Sequence, residues 1–151
     1  MKLTLDTILV IVSGIASWLI ALTGLIFGYK SWKTSKVDAA KQFMEAENSE
    51  ELFKARHAIY SCEDIFEVEE IYRTQVASHY HFWGLMVKKG FLPKWIFQGE
   101  PGESALQLYD RLKPYIDKRR VDKKSYAENY SWLIEKIEQM KGKRSIVSTF
   151  L

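Results

Sequence analysis

The uninterrupted apolar segment Ile8–Tyr29 constrains this chain more than any other feature. Its 22 residues include no charged side chain, no proline, no asparagine and no glutamine. An α-helix needs about 20 apolar residues to cross the hydrocarbon core of a bilayer. Because the segment would be apolar on every face of a helix, it suits lipid better than the surface of a water-soluble domain. The sequence therefore predicts one transmembrane helix near the N-terminus.

A cleaved signal peptide is the alternative interpretation of this segment. Signal peptides have an apolar region of about 7 to 15 residues that ends in a cleavage site of small residues. Ile8–Tyr29 is longer, and its small residues lie inside the apolar run rather than after it. We therefore favour a retained anchor. The predicted organisation is an N-terminal tail, anchor and basic flank over residues 1–36, a helical domain over 37–144 and a tail over 145–151.

The charges that flank the apolar segment predict its orientation. Lys2 and Asp6 lie on the N-terminal side, whereas Lys30, Lys33 and Lys36 follow on the other side. Lysine and arginine are enriched in the cytoplasmic flanks of membrane helices. We therefore expect a single-pass protein of the cell inner membrane, with the N-terminus outside and the C-terminal domain in the cytoplasm.

One face of the predicted membrane helix is made of small residues. Its members recur at spacings of three and four residues: Gly14, Ser17, Ala21, Gly24 and Gly28. Small residues at this spacing allow two helices to approach closely in lipid. The stripe therefore predicts a helix-pairing face, although glycine and alanine are common in membrane helices generally. The partner would be a second copy of the chain or another membrane protein.

The rest of the chain shows helical periodicity throughout. The membrane helix is expected to run on to about Ala46. Further helices are predicted over Glu50–Cys62, over Asp64–Lys89, from Glu103 onward and after a cap at Ser125. The expected fold class is therefore all-α, with one N-terminal transmembrane helix that continues into a small cytoplasmic helical bundle.

Turn residues set the expected limits of these helices. Gln98–Gly102 is predicted to be a loop, and Pro114 is expected to kink or end the helix around it. Lys141–Arg144 is expected to end the last helix. The acidic region Asp38–Glu70, with ten acidic residues against three basic ones, is interpreted as solvated helix faces.

The helix over Asp64–Lys89 carries the longest apolar face of the domain. Its positions at helical spacing are Ile65, Val68, Tyr72, Val76, His79, Trp83 and Met86, and they are widened by Ile71, Phe82 and Leu85. His79 and His81 invite a metal site. Residues two apart on a helix point about 200° apart, so both rings cannot easily reach one ion. We therefore expect His79 to be a core histidine and predict no metal.

No sequence motif supplies catalytic chemistry. The chain has no glycine-rich phosphate loop, no nucleophile elbow and no HExxH pair. Cys62 is the only cysteine, so an internal disulfide is excluded. Cys62 is followed by acids and lacks the nearby basic residues that activate a thiol. We therefore predict no enzyme activity and no cofactor.

A basic cluster near the end of the fourth predicted helix is a candidate contact patch. It consists of Lys113, Lys118, Arg119, Arg120, Lys123 and Lys124. It could bind acidic lipid headgroups, at about 1 kcal/mol per residue near the surface. Nucleic acid is disfavoured because the sequence contains no recognisable reading module. The simplest interpretation is a solvated helix end.

The sequence from about Ala39 to Lys136 also resembles a known family. The resemblance rests on Lys54–Tyr60, on Phe82–Pro93, on Tyr109–Ile116 with Arg119 and Arg120, and on Tyr126 ahead of Trp132 and Leu133. These segments resemble a family of small bacterial proteins with a single N-terminal span and a cytoplasmic helical domain of unknown function. Tyr109 stands where that pattern usually has tryptophan. The resemblance implies an all-helical, membrane-anchored domain and assigns no catalytic residue.

These observations support three hypotheses about function. The first is a membrane-anchored helical module that binds another protein, or copies of itself, without catalysis. The second is a membrane-surface sensor or effector that binds acidic lipid or nucleic acid through the basic cluster. The third is a hydrolase, which would require His57, His79 or His81 to converge with carboxylates.

Overall fold

The computed structural model describes the backbone of residues 5–149 and the side chains of residues 17–142. All regular structure in this part of the chain is helical, so the predicted all-α class is confirmed. The α-helices are α1 (Leu5–Glu47), α2 (Glu50–Ser61), α3 (Glu70–Lys88), α4 (Glu100–Asp122) and α5 (Glu128–Thr149). Short 3-10 helices cover Ile65–Glu67 and Lys94–Gln98. The chain divides into two compact units, Met1–Val37 and Asp38–Leu151.

The first part of α1 exposes its large apolar side chains. They include Trp18, Leu19, Ile20, Leu22, Leu25, Ile26, Phe27 and Tyr29. Among the residues whose side chains are described, no helix combines the length and the apolar character needed to cross a membrane. Residues 8–16 of the predicted span lie outside that part of the chain. The transmembrane helix therefore stays a prediction.

Helix α2 begins at Glu50, as predicted, and buries one face. The Ser49 hydroxyl accepts a hydrogen bond from the Leu52 N–H at 3.3 Å, which satisfies one of the unpaired donors of the first turn. Leu52, Ala55 and Ile59 are buried, and their spacing of three and four residues places them on one face of the helix. Phe53 and Tyr60, the other large apolar residues of this helix, are both exposed.

The predicted start of the central helix at Asp64 is wrong. The Asp64 carboxylate accepts from the Phe66 N–H at 2.9 Å and caps a 3-10 turn instead. Val68 then adopts an extended backbone, and α3 begins only at Glu70. The core positions Val76 and Trp83 are buried as expected. Two residues predicted to widen this face, Ile71 and Phe82, are exposed.

Helix α4 begins earlier and runs further than predicted. Its first residue is Glu100, so Gly102 lies inside the helix rather than in a loop. A Cβ at Gly102 would collide with the carbonyl oxygen of Phe97, which explains the glycine. Pro114 lies within the helix without ending it. The carbonyl left unpaired by Pro114 is that of Asp110, and because Asp110 is exposed, water can satisfy it.

Helix α5 also departs from its predicted limits. It starts at Glu128 rather than at a Ser125 cap, and it continues to Thr149, past the end expected at Lys141–Arg144. Ala127 turns the chain before the helix with a φ of 51°. The Arg120 guanidinium stabilises this turn by donating to the Tyr126 carbonyl at 2.9 Å.

Aromatic rings and one close helix approach organise the core of the unit Asp38–Leu151. Tyr80 of α3 stacks on Tyr130 of α5, with ring centroids 4.9 Å apart. Phe43, near the end of α1, meets the edge of Trp83 at 5.3 Å. Gly84 of α3 faces α5 so closely that a Cβ there would overlap the backbone of the facing helix. These contacts fix α3 against both the end of α1 and α5.

Candidate functional site

The side chain of Glu47, the last residue of α1, is buried in the helical domain. Glu47 is 5% exposed, and it is the one buried charged residue among those whose side chains are described. Its place in the acidic region Asp38–Glu70 led us to expect a solvated helix face, and for Glu47 that expectation is wrong. A buried carboxylate is stable only when it is paired and hydrogen-bonded.

Three side chains from two other helices supply the donors that Glu47 needs. Arg56 of α2 forms an ion pair with Oε1 and also donates to the Glu47 carbonyl oxygen at 2.8 Å. The Tyr80 hydroxyl of α3 donates to Oε1 at 2.8 Å. His79 Nε2, also on α3, lies 2.9 Å from Oε2. We call these four residues the Glu47 cluster, and it ties the end of α1 to α2 and α3.

Aromatic packing holds the donors of the Glu47 cluster in place. The His79 ring lies between Phe43, 6.2 Å away, and Tyr80, 5.0 Å away, measured between centroids. Burial, reinforced by the Glu47 carboxylate, raises the pKa of Tyr80 far above its ordinary value. Tyr80 therefore stays a neutral donor at any physiological pH. The His79 side chain is 11% exposed and packs against core rings, in agreement with its position on the apolar stripe.

The Glu47 cluster joins a histidine to a carboxylate, as a hydrolase would require. However, Oε1 already accepts from both Arg56 and Tyr80, and Oε2 faces His79. In a catalytic dyad the histidine is the base and the carboxylate orients it, so the second ring nitrogen of His79 would have to reach a substrate. The His79 side chain is only 11% exposed and packs against the rings of Phe43 and Tyr80. The geometry therefore suits a structural anchor better than a catalytic dyad.

A groove of about 640 Å³ opens beside the Glu47 cluster. It lies between the end of α1, the outer face of α2 and the first two turns of α4. Its lining residues are Met44, Glu47, Asn48, Phe53, Arg56, His57, Tyr60, Glu100, Pro101, Glu103, Ser104 and Gln107. The side chains of Glu47 and Arg56 are 6% and 16% exposed, so their ion pair lies at the inner wall of the groove.

Large apolar side chains lie exposed along the groove. Phe53 is 60% exposed, Met44 is 42% exposed and Tyr60 is 36% exposed. The Tyr60 hydroxyl lies 3.2 Å from the Ser104 Oγ, a hydrogen bond that links α2 to α4 across the groove. Binding pockets for ligands are typically concave and apolar with a few fixed polar groups, and this groove has the same combination.

The three histidines do not form a common site. His57 lines the groove and lies 3.4 Å from the Ser61 hydroxyl. His81 contacts Asn129 of α5, and burial lowers its pKa below the ordinary value. Within the described residues, no three side chains of the metal-binding types come together to hold an ion.

The basic cluster predicted at the end of α4 is partly used inside the fold. Arg119 pairs with Glu70 at 3.2 Å, and Arg120 donates to the Ser131 hydroxyl at 2.6 Å. The Lys118 ammonium lies 5.1 Å from the centre of the Phe66 ring. Lys113, Lys123 and Lys124 are exposed. The two arginines therefore support the packing of α4 against its neighbours.

The predicted helix-pairing face lies partly within the described residues. Ser17, Ala21, Gly24 and Gly28 are exposed, and a Cβ added at either glycine would have no neighbour within 4 Å. The side chain position of Gly14 lies outside the described residues. The helix-pairing face therefore stays a prediction.

Comparison with known proteins places the chain in a family. Residues 11–137 match the family described as Domain of unknown function (DUF4760). The chain belongs to this family, so the resemblance to an uncharacterised helical family is confirmed at that level. No curated protein and no solved structure matches the chain.

Proposed function

We propose that this protein is a membrane-anchored module that binds another protein through the groove and has no catalytic activity. The observation that carries the proposal is that the groove exposes large apolar side chains, while the carboxylate at its inner wall already has hydrogen-bond donors from its own chain. Phe53 and Met44 offer apolar surface to a partner, whereas the Glu47 carboxylate is committed to donors of its own chain. Recognition is the chemistry that such a groove supports best.

The first part of α1 is the proposed anchor of a bacterial, single-span protein. The support comes from the uncharged segment Ile8–Tyr29 and from the exposed apolar residues that continue along it. Trp32 and Lys36, with the ammonium 3.6 Å from the ring centre, suit the interface between lipid and water. The proposed orientation leaves the domain in the cytoplasm, and the small-residue face would pair the anchor with a second helix.

Photocrosslinking in native membranes tests the binding surface. A photoreactive phenylalanine analogue replaces Phe53 in the full-length chain, and the matched control carries the analogue at Phe82, which is exposed outside the groove. We expect one discrete crosslinked product from position 53 that is absent or much weaker from position 82. Equal labelling from both positions, or none from position 53, would contradict the proposal.

Extraction and labelling test the anchor. The full-length chain should stay in the membrane pellet after alkaline carbonate treatment. Cysteine placed at Lys2 in a Cys62→Ser background should react with a membrane-impermeant reagent in intact cells. Cysteine placed at Lys89, an exposed position of the domain, should react only after lysis. Release of the chain by carbonate would overturn the anchor.

A further inference from the structure

The groove carries an excess of negative charge. Its lining contains the carboxylates of Glu47, Glu100 and Glu103 but the guanidinium of Arg56 alone. Arg56 offsets Glu47, which leaves the two exposed acids at the start of α4. Glu100 forms no ion pair with any side chain that the structure describes. The free charge of the groove is therefore negative.

Glu103 already forms an ion pair with a lysine of its own chain. The Lys141 Nζ lies 3.6 Å from the Glu103 Oε1, and both side chains are at least half exposed. An exposed pair of this kind is weak and exchanges readily, because its Coulomb energy is screened by water. A cation from another molecule can therefore compete for Glu103 while it also meets the unpaired Glu100.

Aromatic side chains next to these acids suit the same kind of ligand. Phe53 and Tyr60 present apolar area, and their ring faces attract a guanidinium or an ammonium. A long basic side chain can place its methylene stem on such rings while its charged end reaches a carboxylate. A purely apolar ligand would leave Glu100 without a partner.

We infer that the groove accepts a segment of a partner protein in which Lys or Arg stands beside large apolar side chains. The apolar residues of that segment cover Met44 and Phe53, and its basic residue meets Glu100 and Glu103. This inference rests on the proposed function, since it assigns the chemistry of the partner to the same groove.

Two synthetic peptides of equal length test the inference. One is built from Leu and Lys, the other from Leu and Glu, and both carry a fluorophore for anisotropy measurements. The protein is the full-length chain in micelles of a neutral detergent. We expect the Leu–Lys peptide to bind with a Kd at least about tenfold lower than that of the Leu–Glu peptide. Raising the salt concentration should reduce that difference, since screening weakens exposed charge pairs.

Matched variants assign the binding to the groove. The double variant Glu100→Gln, Glu103→Gln should weaken binding of the Leu–Lys peptide roughly fivefold, as expected for two exposed ion pairs. The control Glu135→Gln, Glu138→Gln removes the same charge from an exposed face of α5 and should change the Kd less than about twofold. Phe53→Ser should weaken binding of the Leu–Lys peptide about tenfold or more, as expected for loss of a large apolar contact.

The outcomes separate this inference from the proposed function. If both peptides bind equally, or the Leu–Lys peptide does not bind, the inference about charge is overturned. If Phe53→Ser weakens binding but substitution of Glu100 and Glu103 has no effect, the groove is the binding surface, and the inference that its partner carries a basic residue is overturned. If neither change alters binding of a peptide that does bind, the groove fails as the binding surface, and the proposed function fails with it.

Discussion

Two of the ion pairs between different helices, Glu47–Arg56 and Glu70–Arg119, differ in burial. The side chains of Glu47 and Arg56 are 6% and 16% exposed, whereas those of Glu70 and Arg119 are 61% and 47% exposed. Removing one partner of a buried pair leaves an uncompensated charge, while an exposed charge is rehydrated. The same chemistry therefore stabilises the fold strongly at the end of α1 and weakly between α3 and α4.

Glu47→Ala should give the largest loss of stability. It removes the acceptor of the Tyr80 hydroxyl and leaves the Arg56 guanidinium with only the backbone carbonyl of residue 47, which costs about 3 to 5 kcal/mol. The free energy of unfolding can be measured by denaturant titration of the full-length chain in detergent, followed by tryptophan fluorescence. Glu45→Ala, at an exposed position of the same helix, is the control and should cost less than about 1 kcal/mol. Similar losses in the free energy of unfolding for the two variants would contradict the proposed difference between buried and exposed carboxylates.

Tyr80→Phe should have an intermediate effect that measures one donor of the Glu47 cluster. The hydroxyl donates to a charged acceptor, and loss of such a hydrogen bond costs about 1.5 to 3 kcal/mol. The ring and its stacking on Tyr130 are retained. The same denaturant titration measures the effect. A neutral result would mean that Arg56 and His79 alone satisfy the carboxylate.

The exposed ion pair between Glu70 and Arg119 should contribute little to the free energy of unfolding. A double-mutant cycle with Glu70→Gln and Arg119→Gln should give a coupling energy of about 0.2 to 1 kcal/mol. That coupling should decline with added salt, because both charges are exposed. A coupling above about 2 kcal/mol would show that exposure is a poor guide to the strength of these pairs.

His81 is partly buried, and it should make the free energy of unfolding depend on pH. Burial lowers the pKa of His81 in the folded state below its ordinary value of 6.5; Glu128 opposes this shift, and Lys123 adds to it. Its contribution is therefore complete above pH 6.5 and is lost as the pH falls through the folded-state pKa. Unfolding curves at about pH 8 and pH 5.5 should show a smaller acid-induced loss for His81→Gln than for the natural chain. An equal loss would assign the pH dependence to other groups.

Local patterns predicted much of this fold, and tertiary contacts account for most of the errors. The expected start of α2 at Glu50 is the observed one, and the spacing of Val76, His79 and Trp83 identified the inner face of α3. The start at Asp64 failed because a carboxylate can cap a 3-10 turn as well as an α-helix. The early start of α4 depends on the fit of Gly102 against a neighbouring turn, which sequence spacing does not contain.

The candidate site could be predicted only in part. The spacing of Ala40, Phe43 and Glu47 places an acid on the inner stripe of α1, and this signal could have identified a buried carboxylate. Its partners come from α2 and α3, up to 33 residues away in sequence. The groove combines residues of three helices, so no local pattern contains it. The transmembrane anchor, its orientation and the pairing face stay predictions from the sequence.

The contact at Gly84 has a consequence for recognising related chains. Helices α3 and α5 approach so closely there that any Cβ at position 84 would overlap the Asn129 carbonyl oxygen. A related sequence that packs these helices in the same way therefore needs glycine at this position. A relative with a larger residue there must hold its two helices further apart. The identity of this one residue thus sorts relatives by interhelical distance before any of their structures is known.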